Sequence, residues 1–516
     1  MGKKEEVLPS FQILNAEIPT LPDNQQPQLL DFRYPLIAPY VNAHIHFDTT
    51  TNELLYDVEE PLLSPEEKEM LGLIEEGIEE LINLSVLNVK NSDMVIDYLE
   101  KNIKVILNEL GLKINQEAFI KIMYYVYRDF VGLNEIEPLM KDYFIEDIEC
   151  NGNNTPIYIV HRKYGNMKTN IIFTKEHYLE SFVEKLAQKC GKYISYAKPL
   201  LDAQLPDGSR INATFSQDIS ARGPSFSIRK FTKEPFTPIK LMQMNTVSPE
   251  LLAYLWILIE HEANIMVIGA TGAGKTSFIN SLAFFIPPQA RIVSIEDTRE
   301  INLLHENWLP SVAREGVGIG EGNEIDLFTL LKESFRQRPD YVIVGEIRGK
   351  EAYVLFQGAA SGHATMSTMH AEDVQTMIRR LETAPINLSP TLVNSLDVVC
   401  TMTTTKMKNT DVRRLKEIVE IIEVGNELGS VATNIPFVWE PRTDTFYFKT
   451  ESAVFEKIMR QQGLDKHTLE REFTLRSKLL MQMYRKGITK PKEVQEIINA
   501  YYKTPASILQ RFNITP

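Results

Sequence analysis

The segment NIMVIGATGAGKTSFINSLAFF, residues 264–285, decides the fold of the second half of the chain. Its apolar run at 265–268 predicts a strand, a glycine-rich turn follows, and residues 277–285 continue with a helical pattern. In such a turn, backbone N–H groups and the positive end of the helix dipole form a concave site for phosphate groups. The predicted phosphate-binding residues are nine consecutive positions: Gly269, Ala270, Thr271, Gly272, Ala273, Gly274, Lys275, Thr276 and Ser277.

Two side chains of this loop complete the GxxxxGK[ST] pattern. Lys275 is expected to reach the β- and γ-phosphates of ATP, and the Thr276 hydroxyl to offer a ligand to Mg²⁺. The alternative, a glycine-rich turn that binds nothing, is disfavoured because a strand and a helix stand on either side of the turn. ATP and Mg²⁺ are therefore the predicted ligands.

Acidic residues follow two further predicted strands. The run at 292–295 ends in Glu296, with Glu300 one turn further on, and the run at 341–344 is followed by Glu346. Acidic side chains at the carboxyl ends of parallel strands point into the crevice where ligands bind in open α/β sheets. Glu346 is predicted to act on Mg²⁺, directly or through water, and Glu296 or Glu300 to activate water. Each could instead cap the next helix.

Periodicity divides the chain into regions. Residues 1–30 are expected to form a mobile arm, and residues 31–223 an α+β domain with a helix from Ser64 and a hairpin near Gly165. Three prolines mark residues 224–238 as an interdomain hinge. Residues 239–516 alternate strand and helix, which indicates an α/β domain with a parallel sheet, and become helical again from about Ser452. Basic residues in this tail are interpreted as a solvated surface, with a contact for an acidic partner as the alternative.

Composition excludes several classes of protein. The 516 residues carry a net charge of −14, and residues 53–80 hold eleven acidic residues against one lysine, so a nucleic-acid groove there is disfavoured. Three scattered cysteines argue against a zinc ribbon or a disulfide framework. No long apolar run is present, so the chain is expected to be neither secreted nor membrane-spanning.

Together these motifs resemble the secretion ATPases of type II secretion, type IV pilus and archaeal flagellum systems. The resemblance covers roughly residues 130–400 and is most like the archaellum motor ATPase, with an archaeal pilus or type II secretion ATPase as the alternative. It rests on GATGAGKT (269–276), SIEDTRE (294–300), RPDYVIVGEIRG (338–349), GHATMSTMHA (362–371) and the upstream segment GLNEIEPLMKDYFIEDIECNGNNTPIYIV (132–160).

The resemblance implies a hexameric ring of two-domain subunits, each with a C-terminal RecA-type P-loop domain. Nucleotide would lie between the two domains of one chain, and the hinge would couple hydrolysis to a mechanical stroke. Arginines brought in by domain closure would stabilise charge on the γ-phosphate. The resemblance assigns this role to Arg210, Arg222 and Arg229, without choosing among them.

The histidine segment at 361–382 contains His363 and His370 seven positions apart. A metal site is disfavoured because neither a cysteine nor a third histidine stands nearby. The resemblance places this segment in a loop near the nucleotide, where His370 would sense the γ-phosphate. His363 and Thr368 would support that loop, and a helix would begin near Asp373.

The expected function is a cytoplasmic ATP hydrolase at the inner face of the cell membrane. It would drive assembly or rotation of an archaellum through a polytopic membrane platform protein, with cytoplasmic accessory motor proteins as further partners. A hexameric nucleic-acid translocase is the remoter alternative, and the acidic chain speaks against it because no concentrated basic and aromatic face is evident.

Overall fold

A computed structural model describes residues 8–14, 18–22, 26–81, 92–231, 234–314, 325–407 and 410–515. The chain divides into two compact units, Met1–Phe231 and Thr232–Pro516. Among the described residues, no helix has both the length and the apolar character needed to cross a bilayer.

A nine-stranded sheet organises the first unit, in the order β1-β2-β3-β6-β5-β4-β9-β8-β7. Neighbouring strands are antiparallel, except that β3 and β6 are parallel. The strands are β1 (Asp31–Ile37), β2 (Val41–Asp48), β3 (Glu53–Glu59), β4 (Ile145–Cys150), β5 (Pro156–His161), β6 (Gly165–Ile172), β7 (Leu200–Gln204), β8 (Arg210–Thr214) and β9 (Ser225–Arg229).

Helices complete the first unit and confirm its expected α+β character. They are α1 (Pro65–Leu81), α2 (Ser92–Glu109), α3 (Gln116–Val126), α4 (Glu137–Lys141) and α5 (Glu176–Lys189). The predicted start of α1 is correct: the Glu67 amide donates to Ser64 Oγ at 3.2 Å, and the Ser64 amide donates to the Glu67 carboxylate at 2.7 Å. The predicted hairpin is β5–β6, with its turn at residues 162–164.

Two regional predictions need correction. The described part of the predicted mobile arm packs onto the first unit: Phe11 is 2% exposed, and its amide donates to Glu100. The predicted hinge, residues 224–238, begins with strand β9, because alternate side chains of Ser225–Arg229 are buried against the first unit's core. Motion about the rest of that segment stays a prediction.

The second unit contains another nine-stranded sheet, in the order β12-β11-β13-β14-β10-β15-β16-β17-β18. From β12 to β15 neighbouring strands are parallel, and from β15 to β18 they are antiparallel. The strands are β10 (Ile265–Ile268), β11 (Ile292–Glu296), β12 (Trp308–Val312), β13 (Tyr341–Val344), β14 (Ala364–Met369), β15 (Val398–Met407), β16 (Thr410–Val424), β17 (Val431–Glu440) and β18 (Thr445–Phe448).

The parallel part of this sheet confirms the predicted α/β class, whereas its antiparallel extension β16–β18 was not predicted. The helices are α6 (Pro238–Gln243), α7 (Pro249–Glu260), α8 (Lys275–Leu282), α9 (Leu327–Arg336), α10 (Glu351–Ala360), α11 (Val374–Glu382), α12 (Pro390–Val393), α13 (Ala453–Gln462), α14 (Lys466–Arg485), α15 (Pro491–Lys503) and α16 (Pro505–Arg511). The tail is thus helical from Ala453 onward, as expected.

One basic residue of this tail does not lie on a solvated surface. The Arg476 side chain is only 5% exposed and forms an ion pair with Glu260. Its guanidinium lies over the Trp256 ring, 5.0 Å from the centroid, and over the Tyr501 ring at 5.6 Å. Because Trp256 belongs to α7 and Tyr501 to α15, this cation–π arrangement fixes the helical tail to the core of the second unit.

Candidate active site

The loop between β10 and α8 has the backbone shape that phosphate binding requires. Gly269 has φ +152°, and a Cβ there would lie 2.5 Å from the Met402 carbonyl oxygen. Gly274, the residue before α8, has φ +89°, a conformation that favours glycine. The loop therefore depends on these glycines, and it presents its amides at the amino end of α8. The binding of phosphate by residues 269–277 stays a prediction.

Lys275 begins α8 and lies almost fully within this site, with 7% of its surface exposed. Its ammonium donates to the carbonyls of Gly269 at 3.1 Å and Ala270 at 3.0 Å. Burial holds the pKa of Lys275 below its usual range, although the nearby charges of Glu346 and Glu300 oppose that shift. A phosphate group here would meet a pre-positioned cation inside the loop.

His370 connects Lys275 to Glu346. Its Nδ1 lies 3.2 Å from Lys275 Nζ, and its Nε2 lies 3.1 Å from Glu346 Oε1. An ammonium can only donate, so Nδ1 accepts and Nε2 carries the proton that faces the carboxylate. Burial, followed by the charge of Lys275, lowers the pKa of His370, which keeps the ring neutral at physiological pH. The ring thus links the Lys275 ammonium to the Glu346 carboxylate.

Glu346 follows β13 and carries a second partner. Arg348 Nη2 donates to its Oε2 at 2.5 Å, and Arg348 also pairs with Asp297 at 3.2 Å. Burial alone would raise the pKa of Glu346, but Arg348, His370 and Lys275 together hold it below the usual range. Glu346 is therefore an ionised oxygen donor at the carboxyl edge of the sheet, a type of ligand that suits Mg²⁺.

Glu296 and Glu300, the two candidates for water activation, occupy different environments. Glu296 ends β11, is 1% exposed, and accepts from the amides of Glu300 and Ile301 at 2.8 Å each. Its Oε2 has no hydrogen-bond partner among the described residues, and burial raises the pKa of Glu296 to about 8. Glu300 is exposed. A carboxyl group that lies in a crevice and has a pKa close to neutral pH is typical of a general base.

The histidine segment differs from its predicted structure. Residues 364–369 form the buried strand β14 instead of a loop, so His363 and His370 lie at opposite ends of a six-residue strand. His363 packs edge-on against Phe335, with ring centroids 4.9 Å apart. It therefore does not support the segment around His370, contrary to what the resemblance implies. Thr368 does support the site, since its hydroxyl donates to the Gly345 carbonyl at 2.6 Å. The helix α11 begins after Asp373, as expected.

The three predicted arginines all belong to the first unit. Arg210 on β8 and Arg229 on β9 are opposite each other in register. Each pairs with a carboxylate, Arg210 with Asp202 at 2.7 Å and Arg229 with Asp147 at 3.0 Å. Arg222 lies in the exposed loop before β9. Their role in stabilising a γ-phosphate stays a prediction.

Sequence reasoning missed two residues of the site. Arg413 on β16 donates from Nε to the Gly272 carbonyl at 2.9 Å and so contacts the phosphate loop across 141 positions of sequence. Arg380 on α11 donates to the His370 carbonyl. No local pattern points to either arginine, because His370 precedes α11 and Arg413 lies on a distant strand.

Comparison with known proteins identifies the family. The sequence profile of the type II/IV secretion system proteins matches residues 131–490. The chain belongs to this family. Type II/IV secretion system proteins of this kind hydrolyse ATP and typically form hexamers, so the predicted enzyme class, an ATP hydrolase, is confirmed.

Two relatives are similar to this secretion ATPase over different lengths of the chain. An uncharacterised protein of Methanocaldococcus jannaschii is 38% identical over 396 residues, which cover 76% of this chain and 71% of that protein. The type IV secretion system protein PtlH of Bordetella pertussis is 27% identical over 274 residues, 48% of this chain and 79% of its own length. Among solved structures, the Legionella pneumophila ATPase DotB is 16% identical, with a TM-score of 0.40 over 73% of this chain and 96% of that chain.

Proposed function

We propose that this secretion ATPase is the motor of an archaellum. In this proposal it works as a homohexamer at the inner face of the cell membrane and hydrolyses ATP to assemble or rotate the filament. The polytopic platform protein would receive the stroke, with cytoplasmic accessory motor proteins as further partners. The observation that carries the mechanism is the pair of contacts that His370 makes, one with Lys275 and one with Glu346. Through these contacts a single neutral ring connects a phosphate-binding cation to an acid.

ATP would bind with its phosphates against the amides of residues 269–277 and the ammonium of Lys275. The site fits a polyphosphate, because the glycine-rich loop presents its amides at the amino end of α8, beside the buried ammonium of Lys275. Thr276 and Glu346 offer the hydroxyl and carboxylate oxygens that Mg²⁺ prefers. When bound, Mg²⁺ would supply charge neutralisation at the β- and γ-phosphates.

Hydrolysis would form a bond between a water oxygen and the γ-phosphorus and break the bond from that phosphorus to the β–γ bridging oxygen. Glu296 would accept the water proton through Oε2, the oxygen that has no partner among the described residues. Lys275 stabilises the charge that gathers on the transferred group. Domain closure would bring Arg210, Arg222 or Arg229 to the same charge.

His370 would act as the γ-phosphate sensor. A γ-phosphate competes with Nδ1 for the ammonium of Lys275, because one cation is shared between two acceptors. Loss of that bond frees the ring to turn and changes its contact with Glu346. The Arg380 bond with the His370 carbonyl would carry the change into α11.

Turnover measurements with two additives test this function against its remoter alternative. ATP hydrolysis by the full chain is measured with vesicles of archaeal-type lipids and, separately, with single-stranded DNA. Stimulation by vesicles supports a membrane-directed motor, and stimulation by DNA alone would contradict it. Capture of the membrane partner with the full chain then separates the archaellum from a pilus or a type II secretion system, since each has its own platform protein.

A further inference from the structure

Two histidines and an aspartate gather on one face of the first unit's sheet, outside the nucleotide site. His44 and His46 are two positions apart on β2, so their side chains share a face. Asp57 on β3 stands directly opposite His44 in the antiparallel register. One potential ligand atom from each of the three lies within 4.8 Å of the other two, and within the described ranges no other group of His, Cys, Asp and Glu has this geometry.

The spacing of these atoms is close to that of a metal-ligand set. His46 Nδ1 is buried without a hydrogen-bond partner among the described residues, and it lies 3.8 Å from Asp57 Oδ2. Ligand atoms about 2.0–2.2 Å from a tetrahedral zinc ion are about 3.4 Å apart. A shift of a few tenths of an ångström therefore suffices to bring both atoms onto one ion, and coordination would satisfy the buried nitrogen.

The neighbouring charges favour a divalent cation. Asp31 Oδ1 lies 2.8 Å from His44 Nε2, the arrangement by which a carboxylate orients a metal-ligating imidazole through its other nitrogen. Arg33 Nη2 lies 3.2 Å from His44 Nδ1, and Arg33 Nε donates to both oxygens of Glu59 at 2.9 Å. Because Glu59 compensates Arg33, the negative charges of Asp31 and Asp57 remain to balance two positive charges.

We propose that His44, His46 and Asp57 bind one divalent transition-metal ion of the zinc class. Two imidazoles and one carboxylate are the donor set that selects such ions over Mg²⁺ and Ca²⁺, which prefer oxygen ligands alone. When His44 Nδ1 binds the ion, it gives up its contact with Arg33, and Arg33 retains its hydrogen bonds to Glu59. The three side chains are partly exposed, so the fourth position is open to water or to a group from a partner. The site does not depend on the proposed motor function.

Cobalt binding to the full chain tests the proposal. Co²⁺ is titrated without nucleotide, visible absorption bands report tetrahedral coordination, and Zn²⁺ is used to displace the bound ion. The wild type is expected to bind one equivalent. His46→Ala and Asp57→Asn are expected to weaken binding at least about tenfold. Asp57→Asn retains the side-chain shape, which guards against a loss caused by misfolding.

His177→Ala is the matched control, because His177 is a highly exposed histidine of the same unit, with 97% of its side chain accessible. It is expected to bind Co²⁺ as the wild type does. The proposal is overturned if the wild type binds no equivalent of Co²⁺ or Zn²⁺. It is equally overturned if His46→Ala and Asp57→Asn bind with wild-type affinity, since the ion would then be held elsewhere, for instance by a cysteine.

Discussion

Replacing Glu296 by glutamine is expected to change both the pH dependence of stability and the rate of ATP hydrolysis. The substitution retains an oxygen that can accept from the amides of Glu300 and Ile301, and it removes the ionisable group. Burial raises the pKa of Glu296 from 4.5 to about 8, so the folded protein holds this proton more tightly than the unfolded chain. The resulting stabilisation is fully present below pH 4.5 and is lost as the pH rises towards about 8.

The magnitude follows from the two pKa values. A pKa of about 8 in the folded state against 4.5 in the unfolded chain corresponds to about 5 kcal/mol at about 1.4 kcal/mol per pH unit, as an upper figure. Urea unfolding can be followed by tryptophan fluorescence, because Trp256, Trp308 and Trp439 all belong to the second unit. Across this pH range, the unfolding free energy of the wild type is expected to fall by several kcal/mol relative to that of Glu296→Gln.

Glu300→Gln provides the control, since Glu300 is exposed. This variant should retain more ATP turnover than Glu296→Gln, which is expected to lose about a hundredfold or more. If the difference in unfolding free energy between the wild type and Glu296→Gln does not change with pH, the reasoning about burial is refuted. Full turnover in Glu296→Gln would refute its role as the base.

Three further substitutions probe the second unit. His370→Ala should lower ATP turnover about tenfold or more with unchanged metal content, because the variant lacks the ring that connects Lys275 to Glu346. The control is His363→Ala, at the other end of β14, which should retain ATP turnover. Gly269→Ala should abolish ATP binding in a fluorescent-nucleotide titration, since its Cβ would lie 2.5 Å from a backbone oxygen, and measurable binding would contradict the loop geometry. Arg476→Leu should lower the free energy of unfolding by about 2–4 kcal/mol, measured by tryptophan fluorescence in urea, whereas no change would mean that the cation–π arrangement contributes nothing.

Local patterns were sufficient to predict the frame of the nucleotide site. The strand at 265–268 and the strand at 341–344 coincide with β10 and β13, because short apolar runs between glycine or charged residues leave few alternatives. The strand expected at 292–295 extends by one residue to Glu296. These elements place Lys275 and Glu346 at the same edge of the sheet.

Non-local contacts explain what the sequence did not indicate. The family resemblance placed the segment 364–369 in a loop, yet it is a fully buried strand, and its polar side chains find partners. Thr365 bonds with Asn264 at 2.8 Å, and Thr368 bonds with Gly345. Arg413 reaches the phosphate loop from a strand of the antiparallel extension, and no helical or strand period reports such a contact.

Burial likewise separates residues that look equivalent in sequence. Glu296 and Glu300 are both acidic residues after a strand, but the chain turns back so that two amides cap Glu296 and enclose it. Arg476 looks like any other basic residue of a helical tail until Trp256 and Tyr501 are brought around it. Tertiary packing, which no short motif encodes, sets these pKa values and contacts.

Phosphate release by the full chain carrying Glu346→Gln tests the central claim most directly. The Glu346 carboxylate contacts His370 Nε2 at 3.1 Å and accepts a hydrogen bond from Arg348 Nη2 at 2.5 Å. Glutamine at this position removes the negative charge with little change of shape. The account predicts steady ATP hydrolysis by the wild type and a loss of about a hundredfold or more in the variant, with ATP still bound. Equal rates of phosphate release from the two proteins would contradict it.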